Sequence, residues 1–175
     1  MSQQKLTTEE TNQLIALLAK LEPGFLPLEI FLELARLVVL SIVEFVPLRL
    51  NPEGEVEVLL ISRGSDDPHW PNALHTPGVV VLPTDTNTEV YTPFKRLAEG
   101  ELAGTKVSAP HFVGNNFQVS RRGAEQAQIY WIEVYGQPTN GRFYPADKLP
   151  ENIIETQPHF IQRSALKFLE SRRQG

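Results

Sequence analysis

Residues 70–78 read WPNALHTPG, and residues 93–102 read PFKRLAEGEL. The Pro-Gly pair ends a polar loop, and the apolar residues 79–82 that follow it predict a short strand. Residues 88–102 indicate a helix whose regular part begins near Thr92 with Pro93 in its first turn, because the first helical turn does not need the amide donor that proline lacks. This order of loop, strand and helix decides the fold of the chain.

A β-hairpin pattern precedes this segment. Residues 42–50 and 55–62 are rich in apolar and β-branched side chains, and they bracket the turn Asn51-Pro52-Glu53-Gly54. In the second arm the side chains alternate, so we expect one face in the core and the other, which carries Leu59, at least partly exposed to solvent.

Further elements follow the segment. Residues 107–119 and 126–136 predict two strands, since β-branched and aromatic side chains dominate the second of them. Tyr130 and Trp131 lie on opposite faces of that strand, so we expect one in the core and the other free to stack on a base or a sugar. A last helix with an apolar side begins at Pro158.

A helical hairpin begins the chain. Thr7 and Glu10 form a capping-box pattern, and the leucines at helical spacing from Leu14 to Leu21 predict a buried stripe. Pro27 suits the first turn of a second helix with its own apolar face. We therefore predict an N-terminal helical extension over residues 1–40 and a main domain over residues 41–175.

The composition limits the class of protein. The 175 residues are 41% apolar and 21% charged, which is typical of one globular domain. The formal net charge is -5 and the basic residues are scattered, so we expect no nucleic-acid partner. The sequence has no cysteine, which excludes a disulfide framework and a cysteine nucleophile. Without a leader pattern or an apolar run long enough to span a membrane, we expect a cytoplasmic protein.

Three motifs resemble those of the Nudix hydrolase superfamily. Residues 70–78 are similar to the segment that leads into a Nudix box, where a tryptophan and then Pro-Gly are usual, and residues 94–102 are similar to the box helix. Residues 144–150 resemble the aromatic-x-x-Asp-x-Leu-Pro element found late in Nudix chains. The box is nearest in form to that of GDP-mannose mannosyl hydrolases, which also has an Arg-Leu pair and one late glutamate. The resemblance implies an α+β fold, namely a Nudix-type α/β/α sandwich around a mixed sheet that follows the N-terminal two-helix extension.

The box departs from the family's pattern at its acidic positions. Arg96 takes the arginine position and Glu101 the last glutamate, but Leu97 and Gly100 stand where intact boxes have carboxylates. Those carboxylates bind the divalent cations that neutralise phosphoryl oxygens and activate water. The box of this chain is therefore degenerate.

The resemblance implies a metal site at Glu101, Gly78 and Asp85, with Mg²⁺ or Mn²⁺ as cofactor if the protein is catalytic. The catalytic candidates are Glu101, Glu99 and Arg96, which in this family orients glutamates by ionic hydrogen bonds. Glu99 and Glu101 point about 200° apart around a helix, so they share an ion only if the helix ends between them. The alternatives are an exposed helix-end carboxylate for Glu101 and an ordinary turn for Asp85.

Arginines and aromatic residues are the candidates for substrate binding. Arg121 and Arg122 match phosphate oxygens bidentately, while Trp70 and His75 lie in the loop that leads into the box. Like His69, His75 is also a candidate general base where carboxylates are missing. The alternatives are a solvated hairpin tip for the arginines and packing of the loop for Trp70 and the histidines.

Two hypotheses of different classes follow. The first is a divalent-metal-dependent Nudix hydrolase of a nucleoside-diphosphate derivative, with Glu101 as the principal metal ligand. The second is a non-catalytic Nudix-fold module that binds a phosphorylated small molecule or a protein. Grouping of Glu99 and Glu101 with a third carboxylate would favour the enzyme, and an isolated Glu101 would favour the binder. The N-terminal helices either cover the sheet edge or pair with a second copy in a homodimer, and an unrelated structural domain is the third alternative.

Overall fold

The computed structural model describes residues 5–85 and 91–173. Its helices are α1 (Thr8–Leu18), α2 (Leu28–Leu37), α3 (Tyr91–Gly100) and α4 (Pro158–Arg173). Its strands are β1 (Leu40–Leu50), β2 (Val56–Ser62), β3 (Leu74–His75), β4 (Gly78–Val80), β5 (Lys106–Val107), β6 (His111–Val119), β7 (Ala124–Tyr135) and β8 (Arg142–Pro145). Residues 88–90, which we predicted as the start of a helix, lie outside the described residues.

The strands form one mixed sheet. Its order is β3-β2-β1-β7-β5, and in addition β4 pairs with β1, β8 with β2 and β6 with β7. Strands β1 and β7 are parallel, whereas β1 is antiparallel to β2 and β4, and β7 is antiparallel to β6. The parallel pair β1 and β7 lies in the middle of the sheet, where strands are buried on both faces.

Helices cover both faces of this sheet. On one face, called the α4 face, Phe160 of α4 belongs to the same buried apolar cluster as Ile42 of β1. On the other face, called the α3 face, Leu97 of α3 clusters with Val43 and Phe45. Successive residues of β1 thus enter two different cores, because strand side chains alternate between faces. The predicted α/β/α sandwich around a mixed sheet is confirmed.

Three details of the strand predictions need correction. The expected single strand 107–119 is divided into β5 and β6, because Pro110 between them has no amide to donate to a ladder. Leu59, expected on a partly exposed face, is fully buried, since the core under α3 covers that face of β2 as well. Strand β3 lies in a region predicted as loop; it pairs with Ile61 and Ser62 of β2, and Leu74 also bridges to Ile153.

Helix α1 is capped as predicted but is not packed as predicted. Thr7 Oγ1 accepts a hydrogen bond from the amide of Glu10 at 3.2 Å, and the Glu10 carboxylate accepts one from the amide of Thr7 at 2.7 Å. The expected buried stripe is wrong, because Leu14 and Leu17 are 46% and 60% exposed and no residue of α1 is buried. The reason is that no other helix or strand of the described residues packs closely against α1.

Helix α2 packs on the main domain. Ala35 is completely buried, and its carbonyl oxygen lies so close to Gly123, in the turn between β6 and β7, that a Cβ atom there would be 2.1 Å from it. Phe31 packs against the core of the α4 face. The N-terminal segment thus covers part of the domain through α2, while the domain division at residue 40 stays a prediction.

Candidate functional site

Glu101 lies one residue beyond α3. Its amide donates to the carbonyl oxygen of Leu97 at 2.8 Å, which continues the helical pattern. Its side chain is half-buried, and its Oε2 atom has no hydrogen-bond partner among the described residues. Burial raises the pKa of Glu101 to about 7, while the positive charge of Arg63 opposes this rise. Near neutral pH the carboxyl group of Glu101 is therefore partly protonated.

The neighbouring box positions do not add carboxylates to Glu101. Glu99 is exposed, and its Oε1 lies 3.9 Å from Nζ of Lys95. Leu97, where intact boxes carry a glutamate, is 1% exposed and belongs to the core of the α3 face. Within residues 5–85 and 91–173, no group of three or more histidine, aspartate or glutamate side chains lies close enough to hold a metal ion. The described residues do not fit the divalent-cation site that the resemblance implies.

Arg96 and Asp85 form an ion pair. Arg96 Nη2 donates to Asp85 Oδ2 at 2.8 Å and to the carbonyl oxygen of Val80 at 3.2 Å. The same Asp85 oxygen accepts from the amide of Leu82 at 2.8 Å, which closes the turn after β4. The guanidinium also lies 5.7 Å from the ring of Phe25, in the segment before α2. Arg96 therefore ties α3 to β4 and to the N-terminal segment, and the carboxylate of Asp85 is engaged in this contact.

Asp85→Ala is expected to destabilise the protein by about 2 kcal/mol, because it leaves the half-buried guanidinium of Arg96 and the amide of Leu82 without their acceptor. Asp85→Asn is the matched control, since its amide oxygen still accepts both bonds, and it should cost about half as much or less. Urea unfolding followed by tryptophan fluorescence measures both variants. Unfolding midpoints of both variants that equal the parent's would show that the ion pair contributes nothing to stability.

Glu44, which the sequence analysis did not select, is a buried acid beside Gly78. The two residues are paired neighbours on β1 and β4, and a Cβ atom on Gly78 would lie 2.5 Å from Glu44 Oε2. Thr76 Oγ1 donates to the same oxygen at 3.3 Å. Desolvation raises the pKa of Glu44 to about 8; the negative charge of Glu125 adds to the rise, while the Thr76 bond and nearby arginines oppose it. A side chain at residue 78 would displace this carboxyl group from its observed position.

Trp70 brings together the two arginines predicted to bind substrate. Its Nε1 donates to Glu155 Oε2 at 3.1 Å, and Arg121 Nε donates to the other oxygen of that carboxylate at 3.1 Å. Arg122 lies 5.9 Å from the Trp70 ring and forms a 2.6 Å ion pair with the buried Glu125. Each arginine therefore already neutralises a carboxylate of the protein.

His75, at the end of β3 and after the loop that holds Trp70, is buried. Its Nδ1 lies 2.8 Å from the carbonyl oxygen of Thr76. Desolvation, followed by the charge of Arg63, lowers the pKa of His75 to about 4. The imidazole is 6% exposed and neutral at neutral pH, so its observed contact is with the loop itself.

A cavity of about 500 Å³ lies between α2 and β4. Its walls are mainly apolar side chains of the N-terminal segment and of β4, among them Phe25, Phe31 and Val79. Gly78 and Arg96 also line the cavity. Cavities of this size with apolar walls and few polar groups are typical of small-molecule sites. This cavity is the candidate ligand site, and it contains two of the residues selected from the sequence.

Comparison with known proteins finds likeness in structure alone. No family model and no curated protein sequence matches the chain. A MutT/Nudix family protein from Listeria innocua is similar with a TM-score of 0.58 and 15% identity, over 77% of this chain and 97% of that one. The Ap4A hydrolase of C. elegans has a TM-score of 0.55 and 14% identity, over 75% of this chain and 99% of that one.

The Nudix domain of Shewanella oneidensis NrtR, in complex with ADP ribose, is similar with a TM-score of 0.56 and 14% identity, over 88% of this chain and 97% of that one. NrtR has also been crystallised with a 27mer DNA, and there this chain covers 62% of the NrtR chain. The chain therefore has the Nudix fold, with a sequence that diverges strongly from these structures. In residues 5–85 and 91–173 no helix is long and apolar enough to cross a membrane.

Proposed function

We propose that this protein is a divergent, non-catalytic member of the Nudix superfamily that binds a phosphorylated, nucleotide-like small molecule. The observation that carries the proposal is the isolation of Glu101. Glu99 lies on the exposed side of α3 beside Lys95, Leu97 lies in the core, and no group of three or more His, Asp or Glu side chains that could hold a metal ion occurs in residues 5–85 and 91–173. One carboxylate is a poor ligand set for a divalent cation, which needs several oxygen ligands or bound waters and substrate phosphates.

The cavity between α2 and β4 supports a ligand site. Its apolar walls suit the faces of a base or a sugar, and the guanidinium of Arg96, whose charge is balanced by Asp85, lines it. Arg96 Nε is buried and has no hydrogen-bond partner among the described residues. The Nη2 atom of the same guanidinium holds Asp85.

A hydrolase is the second candidate function. The unpartnered Oε2 of Glu101 and the raised pKa of that carboxyl group favour it, because perturbed carboxyl groups are common at catalytic sites. Nudix hydrolases generally use divalent metals, so Mg²⁺ or Mn²⁺ would be the cofactor under this alternative. The resemblance of the box to GDP-mannose mannosyl hydrolases makes a nucleoside-diphosphate sugar the substrate to test first.

A measurement of substrate turnover distinguishes the non-catalytic binding protein from the hydrolase. We expect no new phosphorus NMR signal when the protein at high concentration is incubated with Mg²⁺ or Mn²⁺ and with GDP-mannose, ADP-ribose, diadenosine tetraphosphate or nucleoside triphosphates. Glu101→Gln and, as the matched surface control, Glu99→Gln are run in parallel. Turnover that is lost in Glu101→Gln and kept in Glu99→Gln would overturn the non-catalytic proposal and establish the hydrolase.

Binding tests the proposal directly. We expect calorimetry to detect ADP-ribose binding, and Arg96→Lys to weaken it about ten-fold, because lysine keeps the charge but loses the planar set of guanidinium donors. Arg142→Lys, at an exposed position on β8, is the matched control and should bind as the parent does. Equal affinity of the parent and Arg96→Lys would place the ligand elsewhere.

We also propose that the protein acts in the cytoplasm without a nucleic-acid partner. A protein with this domain can bind DNA, as NrtR does. In this chain, however, the net charge is -5, and Arg121 and Arg122 are paired with carboxylates. Little positive charge is therefore left at this hairpin to neutralise a phosphate backbone.

A further inference from the structure

Helix α3 covers only part of the α3 face of the sheet. Val43 is buried beneath it, but in the same row of the sheet Gln128 of β7 and Asn115 of β6 are exposed. In the next row Gln126 is exposed, and Phe117 beside it is 66% exposed. The part of the face formed by β6 and β7 is therefore open to solvent in the described structure.

A row of aromatic rings leads out of the core onto this open surface. Phe45 of β1 is buried, and its ring stacks on that of Tyr130 at a centroid distance of 5.9 Å. Tyr130 is half-buried and lies opposite Phe112 of β6, with 5.4 Å between the ring centroids. Phe112 is 53% exposed. The rings of Tyr130 and Phe112 are thus accessible to solvent, and the buried ring of Phe45 packs against that of Tyr130.

Amide side chains lie beside these rings. Gln128 and Asn115 are opposite each other in the row next to Tyr130 and Phe112, about 7 Å along the strands. Tyr130 Oη donates to Gln128 Oε1 at 3.2 Å, which orients that amide and leaves its nitrogen for other acceptors. Phe117 lies in the row beyond. We call Phe112, Asn115, Phe117, Gln128 and Tyr130 the aromatic platform.

We propose that the aromatic platform binds a nucleobase, which stacks on Tyr130 and Phe112 and hydrogen-bonds through its edge to Gln128 and Asn115. The inference goes beyond the proposed function, because the platform shares no residue with the cavity between α2 and β4. Aromatic side chains stack on bases of any sequence, and amides offer both a donor and an acceptor to a base edge.

The chemistry of the platform favours a base over other occupants. Its five side chains carry no formal charge, so they complement a neutral planar ring and offer nothing to a phosphate backbone. Under an apolar protein surface, the amides of Gln128 and Asn115 would lose water without gaining partners, which is costly. A base supplies those partners together with a flat apolar face.

Free nucleosides test the platform without any contribution from phosphate. We expect saturation-transfer NMR to show adenosine or guanosine bound to the full chain through its base protons. Phe112→Ala and Tyr130→Ala should each weaken this binding about ten-fold or more, since one stacking contact is lost. Phe112→Trp should keep it. Tyr135→Ala, which removes an exposed ring from the end of the same strand, is the matched control and should have no effect.

Three results would contradict the proposal that the aromatic platform binds a nucleobase. One is no nucleoside binding to the parent protein. Another is unchanged binding in Phe112→Ala and Tyr130→Ala, checked for folding by circular dichroism. The third is a dimer in light scattering that Phe117→Ser dissociates, because a second copy would then occupy this surface. If ADP-ribose still binds in any of these cases, the proposed function stands and only the platform is wrong.

Discussion

Glu44→Gln is expected to be more stable than the parent protein at pH 9, by on the order of 3 kcal/mol. The pKa of Glu44 rises from 4.5 to about 8 on folding, mainly because burial disfavours its charged form. Between these two values the unfolded chain releases the proton and the folded protein keeps it, so the free energy of unfolding falls as the pH rises through this window. The neutral amide of glutamine has no such loss and still accepts the bond from Thr76.

Urea unfolding at pH 5, 7 and 9 measures this effect, with the buried Trp70 and Trp131 as fluorescent reporters. The parent should lose stability from pH 5 to pH 9, and Glu44→Gln should lose much less. The raised pKa of Glu101 also lowers the free energy of unfolding as the pH rises, but by less, and this decrease is complete near pH 7. Glu99→Gln, an exposed control, should follow the parent at every pH. Identical pH profiles for the parent and Glu44→Gln would show that Glu44 is not a buried neutral acid.

Gly123→Ala is expected to destabilise the protein by about 3 kcal/mol or more. A Cβ atom at this residue would lie 2.1 Å from the carbonyl oxygen of Ala35, which belongs to backbone and cannot rotate away. The φ angle of 148° at Gly123 adds strain for any residue with a side chain. The substitution therefore pushes α2 away from the β6–β7 turn and opens the cavity that α2 encloses.

Gly136→Ala is the matched control for the backbone strain. Its φ angle is also positive, at 93°, but a Cβ atom there would meet nothing within 4 Å. The difference between the two variants in thermal unfolding isolates the contact between Gly123 and α2. Equal losses of stability would mean that α2 does not rest on this turn. Loss of ADP-ribose binding by Gly123→Ala, at temperatures where it remains folded, would further link α2 to the ligand cavity.

Much of the fold was readable from the sequence. The hairpin that forms β1 and β2, the helix after the Pro-Gly pair, and the helix from Pro158 were predicted from local patterns, because turn residues and side-chain periodicity act over a few residues. Motifs such as the Pro-Gly of Pro77 and Gly78 then indicated how these elements assemble. The eroded box at Leu97 and Gly100 was equally visible in the sequence.

Glu44 shows what the sequence pattern alone leaves open. It has the same strand parity as Ile42, so the pattern places it on a core face, yet one carboxylate in an apolar run is equally compatible with an exposed position. Its neighbour across the sheet is Gly78, 34 residues away in the sequence, where a side chain would meet the carboxyl group. Neither Glu44 nor Gly78 alone predicts that the carboxyl group of Glu44 is buried.

The sequence by itself determined the order of helices and strands, the Nudix likeness and the loss of box carboxylates, because these depend on residue identity and on neighbours along the chain. Tertiary structure alone decided that no carboxylate cluster forms at Glu101 within the described residues, that Asp85 holds Arg96, and that α1 keeps its leucines exposed while α2 closes a cavity. It also decided that Tyr130 and Phe112 meet on one open face. Such contacts join residues distant in sequence, and their energies depend on burial and pairing that no local pattern encodes.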